Sequence, residues 1–193
     1  MTATTHPTPV TTPARPWRAR AAWAASFLGF PIGGLAGIAV VGPVASTGAA
    51  VLGGAATGLV IGLAQALATR ALPDRGRLPL LGWPLATAAG VGAGLALGAT
   101  TVGFATTLPA LALQGLLTGL VVGPLQALVL PAAAGRRRWI WAAAAPALFA
   151  IGWTVTTLAG IGVEAQFTTF GATGALVHTA LAGLLLRAVL RRR

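Results

Sequence analysis

The sequence predicts an all-α integral membrane protein. Six transmembrane helices form three repeated helical hairpins, with both termini on the cytoplasmic side. Three observations predict this: a composition too poor in charge for a water-facing surface, six apolar stretches of membrane-crossing length, and arginines confined to alternate linkers.

Hydrophobic residues make up 56% of the 193 residues and charged residues only 8%. A soluble domain carries about 25% charged residues. With so few charges the chain cannot cover a surface with water-compatible groups, so lipid is its predicted solvent. The net charge of +11 sits in short arginine clusters between apolar runs, the pattern of a topology signal. The partner it implies is the anionic headgroup layer on the cytoplasmic side, and nucleic acid is not expected. Cysteine is absent, which excludes disulfides, thiol nucleophiles and thiolate metal sites. Lysine and tyrosine are absent too while Ala, Gly and Arg abound, the codon bias of a GC-rich genome.

Residues 1–20 are rich in Thr and Pro, lack apolar periodicity and read as a disordered tail. The basic end of this tail precedes an apolar run too long for a signal-peptide core, so an uncleaved first helix is expected. The apolar stretches cover 21–41, 48–69, 80–101, 108–130, 139–161 and 167–190. Each has about the 20 residues that cross ~30 Å of hydrocarbon at ~1.5 Å per residue. They pair into hairpins at 21–70, 80–131 and 139–190, followed by a basic end at 191–193.

The 13 arginines supply an independent check. Arg15, Arg18 and Arg20 precede the first span; Arg70, Arg75 and Arg77 follow the second; Arg136, Arg137 and Arg138 follow the fourth; Arg187, Arg191, Arg192 and Arg193 end the sixth. In a six-span zigzag all of these share one side, which the positive-inside rule makes cytoplasmic. Adding or dropping one helix would scatter them over both sides. Trp23, Trp83, Trp139 and Trp141 fall near the arginine side and read as anchors at the membrane interface. Trp153 lies deep in the fifth span, as a lipid-facing or packing residue.

An internal repeat appears at a separation of sixty-one positions. TGLVIGLAQAL from Thr57 to Leu67 matches TGLVVGPLQAL from Thr118 to Leu128. Gly29, Gly33 and Gly37 map onto Gly90, Gly94 and Gly98, and Gly54, Gly58 and Gly62 onto Gly115, Gly119 and Gly123. The third hairpin is a diverged copy with two competing registers. One matches the stripe Gly171, Ala175, Thr179 and Gly183; the other aligns Thr173-Gly174 with Thr57-Gly58. Glycines four apart line one helix face and admit a neighbouring backbone, the usual basis of packing in lipid. Two-helix repeats run in parallel, so an axis along the membrane normal and a pseudo-threefold bundle are expected. Outward-facing small residues in the third hairpin would be partner surfaces.

The chemistry-bearing residues are few. Gln65 and Gln126 occupy matching repeat positions ~7 Å from the cytoplasmic ends of their helices. They read either as amides lining a cytoplasmic-side cavity or as interhelical hydrogen bonds that fix register. His178, ~13 Å from the cytoplasmic end, is the histidine inside a span. It reads as a ligand or proton-relay group, or as an imidazole bonded to a Thr or a backbone carbonyl. Pro124, beside Gly123 and two residues before Gln126, is expected to kink its helix and free carbonyls towards a site. Gln114 reads as an interface residue. Asp74 and Glu164 fall on opposite faces of the membrane, so no carboxylate dyad forms, and two histidines with two scattered acids make no zinc site. No cofactor, metal or catalytic residue is expected.

The block Gly58, Gly62, Gln65, Leu67, repeated as Gly119, Gly123, Gln126, Leu128, resembles a repeat of uncharacterised bacterial multi-spanning membrane proteins. In those proteins the hairpins often end in Gln-aromatic-Leu and Arg; here Ala66 and Ala127 replace the aromatic, and the third copy lacks the Gln. The resemblance covers the first two hairpins, implies the hairpin fold and brings no activity. In size the chain is also similar to the substrate-binding subunits of energy-coupling vitamin transporters, with no motif in support.

Two functions follow. The first is a non-enzymatic accessory or scaffold subunit acting by helix packing, with a membrane-protein partner or as a homo-oligomer. The second is a carrier or channel for a small neutral or apolar solute, with a cavity near Gln65, Gln126 and His178. A polar cavity joining His178 to either glutamine would favour the second, and a dry core the first.

Overall fold

A computed structural model of the chain describes residues 16–72, 76–162 and 168–190. Within them the protein is all helix and turn, without strands. The expectations for the tail up to Arg15, for Asp74 and Arg75, for Glu164, Gln166 and Phe167, and for Arg191–Arg193 lie outside the described residues.

The first apolar stretch is one helix that tightens midway. α1 (Pro16–Ala25) passes through a single 3-10 turn at Ser26–Leu28 into α2 (Gly29–Val41). Pro31 accounts for the tighter turn: its ring lacks an N–H and crowds the carbonyl four residues back, at Phe27. The remaining helices are α3 (Thr47–Ala68), α4 (Gly82–Thr101), α5 (Leu108–Val129), α6 (Arg138–Leu158) and α7 (Ala172–Leu190). The expectation of a disordered tail to residue 20 is corrected here, since α1 already begins at Pro16. Proline is tolerated in the first turn, where its missing N–H has no partner to lose, and the Arg and Ala that follow are strong helix formers.

Turn chemistry separates the helices. Gly42 ends α2 with φ +66°, a conformation open to glycine. Four residues later Ser46 caps α3, its hydroxyl accepting the Ala49 N–H at 3.2 Å. Thr107 precedes α5 in extended geometry, and Pro109 occupies its first turn. The linker after α3 is tied to its own helix: Thr69 donates to Ala66 O at 2.8 Å and accepts from Leu78 N–H at 3.0 Å, while Arg70 donates to the carbonyl of Leu78.

Among the described residues, five helical segments are long and apolar enough to cross a membrane: Trp17–Val41, Thr47–Ala71, Leu108–Val129, Ala132–Leu158 and Ala172–Leu190. That is the build of a multi-pass membrane protein. α4, the third of the six expected spans, has 20 residues but falls outside this group. Five of its 20 residues are glycine and three are threonine, which lowers its hydropathy. Its buried residues include Trp83, Thr87, Gly90, Val91, Gly94, Leu95 and Gly98.

Consecutive helices pack on one another from α2 to α7, and α7 returns to the first segment. The indole of Trp23 closes the circle by donating to Thr179 O at 2.8 Å. Glycines set the approach distances. An added Cβ at Gly33 would lie 2.8 Å from Thr57 O, at Gly58 2.6 Å from Thr87 O, at Gly94 2.8 Å from Thr118 Cα, and at Gly123 2.6 Å from Ala142 O. Each glycine named here faces the next helix in the chain. At the far end of the series Gly183 lies beneath the ring of Trp23, in the first segment.

On α7 the small residues Gly174, Ala175, Thr179 and Ala182 are buried, while Ala172, Leu176, Ala180, Leu184, Arg187 and Ala188 are exposed. The helix thus carries small residues on both its inward and its outward face.

Candidate axial polar site

Gln65 lies on the face of α3 that carries Gly58, Ile61 and Gly62, so the packing that buries those residues buries the amide. Gln126 repeats the arrangement on α5 beside Val122 and Gly123. Each amide is held by an indole from the next helix. Trp83 Nε1 donates to Gln65 Oε1 at 2.9 Å, and Trp141 Nε1 donates to Gln126 Oε1 at 3.0 Å. An indole can only donate, so each Gln oxygen must face its tryptophan, which orients both amides.

The nitrogens differ. Gln126 Nε2 donates to Thr87 Oγ1 at 2.9 Å, and the Thr87 hydroxyl donates in turn to Trp83 O at 2.8 Å. For Gln65 the bond to Oε1 is the one side-chain hydrogen bond among the described residues. The two amides thus join α3, α4, α5 and α6 through one network.

His178 enters from α7. Its Nδ1 lies 3.2 Å from Leu148 O. A carbonyl only accepts, so Nδ1 carries the hydrogen and Nε2 is the nitrogen without a protein partner. Three phenyl rings surround the imidazole, with centroids at 5.3 Å (Phe30), 4.9 Å (Phe149) and 5.3 Å (Phe170). Phe170 comes from the segment before α7 and also stacks on Phe30 at 5.0 Å.

These groups meet at one cavity of about 10 Å³. Gln65, Gln126, His178, Thr87 and Trp141 line it, with Phe30, Ile61, Val91, Leu148 and Phe149 as the apolar wall. A space of this size holds about one water. A second cavity of about 10 Å³ shares Ile61, Val91 and Phe149 as walls and continues to Thr118, Trp153, Thr168 and Phe170. Ile61, Val91 and Phe149 therefore form an apolar collar between two small chambers. Among the described residues no group of three or more His, Cys, Asp or Glu is placed to hold a metal.

The cavity brings together Gln65, Gln126 and His178, which the sequence singled out on three different helices. Pro124 is not among its walls. Two residues apart on a helix point ~200° apart, so Pro124 faces away when Gln126 faces in. The interface-anchor expectation is corrected for Trp83 and Trp141, which are 0% and 4% exposed. Their indole N–H groups find buried amides, a better partner than a headgroup. Trp23 is half-buried over Gly183, whereas Trp139 is 54% exposed. Gln114 is corrected as well: it is fully buried, and neither polar atom of its side chain has a partner. α5 begins at Leu108, so Gln114 already sits ~9 Å inside the helix rather than at its mouth.

Sequence reading missed Thr87, the three phenyl rings and the tryptophan donors. The usable signal was the number of tryptophans near one end: a donor-only side chain inside an apolar bundle needs an acceptor, and Gln65 and Gln126 were the candidates at that depth.

Set against known proteins, the chain matches no family model, no curated relative and no solved structure. The fold and the site are those of an all-helical chain with the build of a multi-pass membrane protein and a small polar chamber among its helices.

Proposed function

We propose that the protein is a six-span cell-membrane protein, with both termini cytoplasmic, that passes a small uncharged solute along the axis of its bundle. It acts without catalysis. One observation carries this reading: Gln65, Gln126 and His178, each from a different hairpin, line the same cavity. The second chamber, beyond the collar, supports a path that continues along the axis. The only acids in the chain are Asp74 and Glu164, both outside the spans, so the path offers a cation no counter-charge.

The six-span topology rests on α4, whose 20 residues reach ~30 Å, and on the arginines, which share one face only if α4 crosses. The hairpin repeat and its pseudo-threefold axis are supported by the cyclic packing. Gly58 faces α4, Gly119 faces α6, and Gly183 faces the first segment. Gly174 lies on the backbone of Gly152, in the preceding helix, as Thr118 lies against Gly94. That favours the register that matches Ala175, rather than Gly174, with Gly119. The likeness to bacterial GxxxGxxQxL hairpin proteins belongs to the same proposal, carried by the two Gln-bearing copies.

The test is flux. The full chain in vesicles should raise permeability to water, urea or glycerol above that of protein-free vesicles, read by osmotic light scattering. Phe149→Trp, which narrows the collar, should abolish the increase. The second reading is an accessory subunit that acts by packing, favoured by the chamber's one-water size. It would be supported by unchanged permeability to all three solutes, together with a stoichiometric protein partner or a bare homo-oligomer in native mass spectrometry.

A further inference from the structure

The hydrogen bonds around the chamber run in one direction and stop at a gap. Trp83 donates to Gln65 Oε1, the one hydrogen bond of this side chain among the described residues, and the amide nitrogen is left to the cavity that Gln65 lines. On the other side His178 donates from Nδ1 to Leu148 O, its one hydrogen bond among the described residues, which leaves the Nε2 lone pair to the cavity that His178 lines. Thr87 Oγ1 accepts from Gln126 and donates to Trp83 O, which leaves its second lone pair. All three side chains line the same cavity of about 10 Å³.

We infer that this cavity is a binding site for one water molecule, bridging Gln65 Nε2, His178 Nε2 and Thr87 Oγ1. The atom types define the complement. The occupant must accept one hydrogen bond from the amide and donate one to the imidazole, and it has a further acceptor in Thr87. It must be uncharged and no larger than water. A buried water typically makes about three hydrogen bonds, which is the number offered here. Bound there, it completes a donor chain from Trp83 through Gln65 and water to His178 and Leu148, and so links α4, α3, α7 and α6. An apolar occupant would leave a buried amide N–H and an imidazole nitrogen unpaired, and leaving such groups unpaired is costly. A cation would meet the amide hydrogens. The inference names the ligand of the chamber that the proposed flux would use, and it stands on hydrogen-bond geometry rather than on transport.

The test uses the full chain in lipid nanodiscs with ¹⁵N-labelled histidine and His6→Gln, so that His178 gives the sole histidine signal. The expected spectrum has hydrogen on Nδ1, a hydrogen-bonded unprotonated Nε2, and a magnetisation-transfer peak from water to the ring. Gln65→Met keeps the side chain's length but removes the amide. It should abolish the water peak and move Nε2 to the position of a free ring nitrogen. Gln65→Leu is the second variant should Gln65→Met not fold. Hydrogen on Nε2, no water peak, or a water peak unchanged when the amide is removed would each overturn the inference. A bound water with no flux would retain the site and end the transport reading. Flux without the water peak would do the reverse.

Discussion

Gln126 has two roles at once. Its oxygen takes the Trp141 indole and its nitrogen takes the Thr87 hydroxyl, all buried. Gln126→Leu strands an indole N–H and removes a cross-helix bond, so it should destabilise the protein by about 1–2 kcal/mol, read as a shift in detergent or thermal unfolding. Gln65 and Trp83 form the simpler pair, and a double-mutant cycle with Gln65→Leu and Trp83→Phe should give a coupling of about 0.6–2 kcal/mol. A coupling near zero would mean that the bond contributes nothing. At this scale the sequence was partly legible. A polar side chain inside an apolar run announces itself, so Gln65, Gln126 and His178 were visible. Thr87 was not, because a threonine in a helix commonly bonds its own backbone and signals nothing further.

At the scale of helices, contact is made by backbones rather than by side chains. An added Cβ at Gly119 would run into the carbonyl of Ala145, and α5 and α6 would have to part. Gly119→Ala should therefore cost about 1–3 kcal/mol, although alanine is the better helix former. Gly48, at the start of α3, has nothing within 4 Å of an added Cβ. Gly48→Ala should change stability by less than about 0.5 kcal/mol. Equal effects at the two positions in one unfolding assay would show that propensity, not approach distance, governs these glycines. The helix limits were legible to within a few residues from apolar length and from caps such as Ser46. The direction each stripe faces was not. Every helix has neighbours on both sides, and the sequence of one helix does not say which neighbour takes its glycines.

At the scale of the whole molecule the prediction is topological. The chain has no cysteine, so a cysteine introduced at Thr47 can be labelled without background. It should react with an impermeant reagent from outside the cell, and one at Ala133 only after the membrane is opened. Labelling of Thr47 from the inside alone would reverse the orientation. Labelling of both positions from the same side would remove the crossing by α4.

The sequence alone determined that this chain is helical, apolar and many times folded back on itself, because those properties add up residue by residue: hydropathy over a length, charge over a linker, glycine over a turn. The arginines carried the sided pattern in the same additive way. Only the tertiary structure decided that three polar side chains, far apart in the chain, face one chamber, and that Trp83 and Trp141 belong inside it rather than at the membrane surface. The reason is angular. A helix offers several faces, and the choice among them is made by which backbone comes close enough to a glycine, a relation between two helices that neither encodes alone.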